Sequence, residues 1–100
     1  MDLTEKQIME YFDEKFGQSI PHRLKKLREE MKELDFAEIF CTYRNPTPQH
    51  KEEFLDEVSD VLTVVTHLGH CLGYSSGELL NMAYEKCRIR ETNPDYKHSK

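Results

Sequence analysis

No apolar run in this 100-residue chain approaches the roughly 20 residues that a bilayer-spanning helix needs. The amino terminus, MDLTEKQIMEYF, lacks the basic start and apolar centre of a secretory signal. These two absences lead to the expectation of a cytoplasmic protein with no membrane partner. Basic clustering is equally scarce. The one group, Arg23 to Arg28, is followed at once by Glu29 and Glu30, and the net charge is −5. A surface for a nucleic-acid polymer is therefore not expected. The three cysteines, Cys41, Cys71 and Cys87, show neither CxxC nor Cys/His finger spacing. They read as reduced, partly buried thiols rather than disulfides or zinc ligands. No alternating strand pattern, internal repeat or low-complexity segment occurs.

What is present is a helical chain. At 37% hydrophobic and 33% charged residues it has the balance of an ordered, helix-rich protein, and its length suits one domain over residues 1–100. The most apolar stretch is Glu53–Leu72. Phe54, Leu55, Val58, Val61, Leu62, Val65, Leu68 and Leu72 recur at three- and four-residue steps, so they form one stripe of a helix and are expected to be its buried face. Val61, Val64 and Leu68 extend the apolar surface to one side of that stripe.

Three more helices flank it. The first runs from about Thr4 to Phe16, with a Thr4/Gln7 capping box and Gly17 as its stop. Ile8, Tyr11, Phe12 and Phe16 form its apolar face, and Met9 lies off it. The second starts near Ser19–Pro21 and continues to about Phe40, with Ile20, Leu24, Leu27, Met31 and Leu34 as its stripe. The segment Thr42–His50, TYRNPTPQH, reads as the one clear loop. Gly73 ends the third helix. A Ser75/Glu78 capping box opens a fourth, from about Ser76 to Glu91, with Leu79, Leu80, Ala83 and Cys87 or Ile89 on its apolar side. Asn93-Pro94 breaks it, and residues 95–100 are a polar tail. The expected fold is an all-α four-helix bundle.

Beside the two strongest stripes stand two acidic pairs. Glu30 and Glu33 sit roughly 80° and 140° from the centre of their stripe, and Glu57 and Asp60 sit at the same angles with the same hand. If the second and third helices pack antiparallel, these flanks fall on one side of the interface. At about 1.5 Å per residue, all four acids then stand level within a turn. Four converging carboxylates repel one another unless a cation sits among them, and a hard divalent ion such as Mg²⁺ or Mn²⁺ takes oxygen ligands of this kind. The spacing alone is weak, because acidic i,i+3 pairs recur along this chain and ordinarily mark a solvated face. Shared hand, shared height and adjacency to the stripes set these two pairs apart. A ferritin-like di-iron centre is disfavoured, since no Glu is followed by His three residues later. His67 lies about two turns beyond Asp60. It reads as a surface or subunit-contact histidine, with an outer role at the acid site as the alternative.

The segment LREEMKEL (Leu27–Leu34), then Glu57-Val58-Ser59-Asp60 and an apolar run, resembles the MazG-like all-α nucleoside triphosphate pyrophosphohydrolases. Their signature is Glu-Glu-x-x-Glu on one helix and Glu-x-x-Asp on the next. The match covers the second and third helices well and the fourth loosely. The resemblance implies a MazG-type fold completed by oligomerisation, as a dimer or tetramer. It also implies Mg²⁺-dependent cleavage of an NTP or dNTP between the α- and β-phosphates, giving a monophosphate and pyrophosphate. Glu30, Glu33, Glu57 and Asp60 would hold the metal with Glu29 beside them, and Glu33, with Glu30, would orient the attacking water. Asn81, Lys86, Arg88 and Arg90 would meet the phosphates, Lys86 and Arg90 from one face. Tyr11, Phe12, Phe16 and Tyr84 read as core, with stacking on a base as the alternative. Two other readings stay open: a non-enzymatic helical dimerisation module, and an inactive nucleotide sensor.

Overall fold

The computed structural model describes residues 2–42 and 47–93, the side chains of residues 40–42 excepted. Four helices follow one another: α1 (Glu5–Phe16), α2 (Ile20–Thr42), α3 (Pro48–Cys71) and α4 (Ser76–Thr92). No strand occurs among the described residues. α1 opens on the expected capping box, Thr4 Oγ1 accepting from the Gln7 backbone and Gln7 from the Thr4 backbone. It ends at Gly17, whose φ of 75° is a conformation open to glycine at little cost. Ser75 and Glu78 cap α4 in the same way.

α3 starts five residues before the expected Glu53. Thr47 is its N-cap and Pro48 its first residue, and His50 completes a capping box through its ring Nδ1. Proline suits a first turn because its missing N–H would have had no partner there. The expected loop thus contracts: Thr42 belongs to α2, residues 48–50 to α3, and residues 43–46 lie outside the described residues. So do Pro94 and the polar tail, while Asn93 is the C-cap of α4.

α2 and α3 form the principal contact as an antiparallel pair. Glu30 faces Asp60, Glu33 faces Glu57, and Ala37 shares a cleft with Glu53. α1 crosses α3 and is tied to it by Asp13, whose carboxylate accepts from His67 Nε2 at 2.9 Å and His70 Nε2 at 2.8 Å. α4 packs along the end of α3 at Gly69, where an added Cβ would lie 2.5 Å from Leu79 Cδ1. Glu5 reaches across from α1 to accept from the backbone and hydroxyl of Ser76, which holds its carboxyl below the ordinary value.

The inward faces differ from those expected. Among the described residues the buried apolar side chains are Met9 and Val64, while Arg23, Glu30 and His67 are buried beside them. On α3 the inward row is Glu57, Asp60, Val61, Val64, His67, Leu68 and Cys71. The expected stripe lies largely outward, with Leu55 65% and Leu62 62% exposed. On α2 the inward row runs through Arg23, Leu27, Glu30, Leu34 and Ala37, leaving Leu24 and Met31 exposed. On α1 it is Met9 that is buried and Ile8, Tyr11 and Phe16 that are exposed, because Asp13 must face the two histidines and turns the helix to reach them. α4 leaves Leu80, Tyr84 and Ile89 exposed.

Candidate metal centre

The antiparallel register brings carboxylates of α2 and α3 together. Glu30, Glu33 and Glu57 each offer a ligand oxygen within 4.8 Å of the others. Asp56, Glu57 and Asp60 form a second such group, so Glu57 belongs to both. The four acids expected from the sequence therefore meet as two overlapping groups joined at Glu57. Asp56 is an addition. Its four-residue step to Asp60 places both on one helix face, a signal present in the sequence that the three-residue pairs obscured. Glu29 stays on the exposed side, 4.0 Å from Lys26.

Electrostatics make the group uncomfortable without a cation. Burial pushes the Glu57 carboxyl above its ordinary value, and the charges of Glu33, Asp60, Glu30 and Asp56 push it further. Burial raises Asp60 in the same direction, reinforced by Glu30 and Asp56 and opposed by Lys26. Lys26 Nζ lies 2.9 Å from Glu30 Oε1 and answers part of this charge. Two oxygens remain buried with no hydrogen-bond partner, Glu30 Oε2 and Glu57 Oε2. An unpartnered buried carboxylate oxygen costs free energy that a metal bond would recover, so the donor set fits a hard divalent ion.

Clefts open on both sides of the acids. One, of about 260 Å³, is lined by Phe12, Phe16, Arg23, Lys26, Glu30 and Asp60, among others. Phe12 and Phe16 stack there with ring centroids 5.8 Å apart, and the Arg23 guanidinium carbon lies 4.7 Å from the Phe16 centroid. Arg23 is only 3% exposed, and its Nε has no partner. The other cleft, about 420 Å³, is lined by Lys32, Glu33, Phe36, Ala37, Glu53 and Glu57.

The expected phosphate-contacting residues lie elsewhere in the chain. α4 packs against α3, and none of Asn81, Lys86, Arg88 and Arg90 lines either cleft. Asn81 donates to Glu85, and Arg88 pairs with Glu91 at 3.6 Å. The cations beside the acids are Arg23 and Lys26 in one cleft, both from the Arg23–Arg28 basic group, and Lys32 in the other. Tyr84 is exposed on α4. His67 is not a surface histidine. It is fully buried, and its partner is Asp13 rather than the acid site. Cys71 and Cys87 are free, half-buried thiols. No family model, curated protein or solved structure matches the chain.

Proposed function

We propose that this chain is a Mg²⁺-dependent nucleoside triphosphate pyrophosphohydrolase of the MazG-like kind, splitting an NTP or dNTP into monophosphate and pyrophosphate. The observation that carries the reading is the pair of buried, unpartnered carboxylate oxygens, one on Glu30 of α2 and one on Glu57 of α3, within a five-acid group. Glu30, Glu33, Glu57 and Asp60 would hold Mg²⁺ or Mn²⁺, with Asp56 beside them. The ion would supply charge neutralisation for the triphosphate and acidify a bound water.

The protein's own groups do the rest. Glu33 is the most exposed acid of its group and the one open to accept a proton from water. Lys26 and Arg23 border the cleft next to Glu30 and Asp60, and they offset the repulsion between a polyanion and a ring of acids. Phe12 and Phe16 offer a flat apolar wall for a base in the same cleft.

Self-association belongs to the same proposal. Its ground is the exposed apolar side chains of α3 and α4, Leu55, Leu62, Leu80 and Ile89 among them. The outward stripe of α3 and the apolar side of α4 are the surfaces a second copy would cover, and they would bring Lys86 and Arg90 of one copy toward another. That stripe equally favours a second reading, a helical dimerisation module without turnover.

One experiment separates them. Pyrophosphate release is measured from a panel of NTPs and dNTPs, with Mg²⁺ and with EDTA, for the native chain and for Glu57→Gln. Release that needs Mg²⁺ and vanishes in the variant is expected. Absence of release from every substrate would overturn the enzyme reading.

A further inference from the structure

A second cluster of metal-binding side chains lies at the contact of α1 with α3, apart from the acids. His67, His70 and Cys71 stand at i, i+3 and i+4 on α3, so they leave one face of the helix. Asp13 meets them from α1, bridging the two imidazole Nε2 atoms at 2.9 and 2.8 Å. Cys71 Sγ lies 3.9 Å from the same His67 nitrogen. Asp13, His67 and Cys71 each offer one ligand atom within 4.8 Å of the others. Around a tetrahedral zinc ion with bonds of about 2.0–2.3 Å, neighbouring donors stand about 3.3–3.8 Å apart. Shifts of about 1 Å would bring Asp13, His67 and Cys71 to that arrangement, while His70, held to Asp13 but outside the 4.8 Å group, would have to move further.

Hydrogen bonding accounts for Asp13 between its two rings. It leaves the Cys71 thiol at a long separation, and it leaves His67, wholly buried, with Nδ1 unpartnered. With Nε2 donating to the Asp13 carboxylate, the ring's second nitrogen, Nδ1, is the unpartnered one, and it can take the ring proton when Nε2 turns to a metal ion.

We infer that Asp13, His67 and Cys71, with His70 as fourth donor, form a binding site for a zinc-type transition-metal ion. A thiolate, two imidazoles and one carboxylate are a borderline-soft set that selects Zn²⁺ or Co²⁺ over Mg²⁺. On binding, the Cys71 thiol releases its proton, and each imidazole carries its proton on Nδ1. Burial, together with the Asp13 charge, raises the Cys71 thiol above its ordinary value, so the metal-free thiol is neutral and binding tightens as pH rises. The ion clips α1 to α3. It thereby fixes Phe12 and Phe16, the aromatic wall of the cleft beside Glu30 and Asp60.

Cobalt titration tests the site, because a thiolate ligand gives a charge-transfer band that no carboxylate site can give. The protein used carries Cys41→Ser and Cys87→Ser, which leave Cys71 as its sole thiol. The expected result is a thiolate-to-cobalt band with tetrahedral visible bands, saturating at one ion per chain. Zn²⁺ should abolish it and excess Mg²⁺ should leave it unchanged. Asp13→Asn in the same background should weaken cobalt binding at least tenfold. No charge-transfer band in the folded double variant, or a band displaced by Mg²⁺, overturns the inference.

Discussion

Glu30 and Glu57 offer ligand oxygens within 4.8 Å of each other from antiparallel helices, and each has one carboxylate oxygen buried and unpartnered. Removing one of the two charges should relieve strain while removing a proposed metal ligand. Glu57→Gln is expected to raise the metal-free melting temperature by a few degrees and to cut turnover at least about 100-fold. Differential scanning calorimetry in EDTA and a pyrophosphate-release assay check the two halves separately. A variant that melts lower than the native chain would contradict the account of repulsion.

The same carboxylates set a pH dependence. Glu57 and Asp60 have folded-state values raised above their unfolded ones, so the folded protein holds more protons in that window. Their ionisation therefore erodes stability as pH rises from about 4 through their raised values. Mg²⁺ should cancel the erosion, so its stabilising effect should be small near pH 4.5 and grow toward pH 7.5. Thermal melts with Mg²⁺ and with EDTA across that range measure it, and an effect independent of pH would count against these ligands.

Asp13 acts with the opposite sign. Burial alone would raise its carboxyl, but hydrogen bonds from His70, Gln18 and His67 outweigh it and hold it at about 2, below the ordinary 3.8. The stability it contributes is complete above about pH 4 and is lost as pH falls toward 2. Asp13→Asn should cost about 1.5–3 kcal/mol at neutral pH, since it removes a charged acceptor from a buried histidine. Urea unfolding monitored by circular dichroism reads this, and the native chain should lose the difference on acidification.

Gly69 governs how closely α4 approaches. Gly69→Val places branched carbon against Leu79 and should cost about 2 kcal/mol. In Gly69→Ala, about 1 kcal/mol of regained helix propensity offsets the displacement of one leucine methyl, so the net change should be close to zero. Equal losses in the two variants would show that the backbones themselves, rather than the Leu79 side chain, set the spacing.

Leu62 sits in the outward stripe of α3, 62% exposed. Within a single chain Leu62→Glu should change stability by under about 0.5 kcal/mol. In solution it should convert the proposed dimer or tetramer to monomer, as seen by light scattering after size exclusion. An unchanged mass would remove this face from the assembly.

The helices and their ends were legible because they are local events. Thr4 with Gln7, and Ser75 with Glu78, satisfy the first N–H groups of their own helices whatever surrounds them. The α3 start at Pro48 was missed because His50 stands where a capping box usually has Glu or Gln. Glu30, Glu33, Glu57 and Asp60 were legible as a group because rise and angle along two antiparallel helices are fixed arithmetic.

Which face of each helix turns inward depends on partners that pattern alone does not name. Apolar periodicity marks the stripe that will leave water, and it does not say whether the same chain or another one covers it. In this chain the histidines of α3 draw in Asp13, and the acids of α2 and α3 draw in Lys26, so polar rows occupy the interior and Leu55 and Leu62 remain outside. The hydrogen bond across 54 residues, from Asp13 to His67, is a long-range contact with no periodic trace in the chain. Local hydrogen bonding and helix geometry suffice to specify four helices and four level acids. The rotation of those helices, and with it the burial of His67 and the gathering of Asp13, His70 and Cys71 around it, arises only when the helices meet.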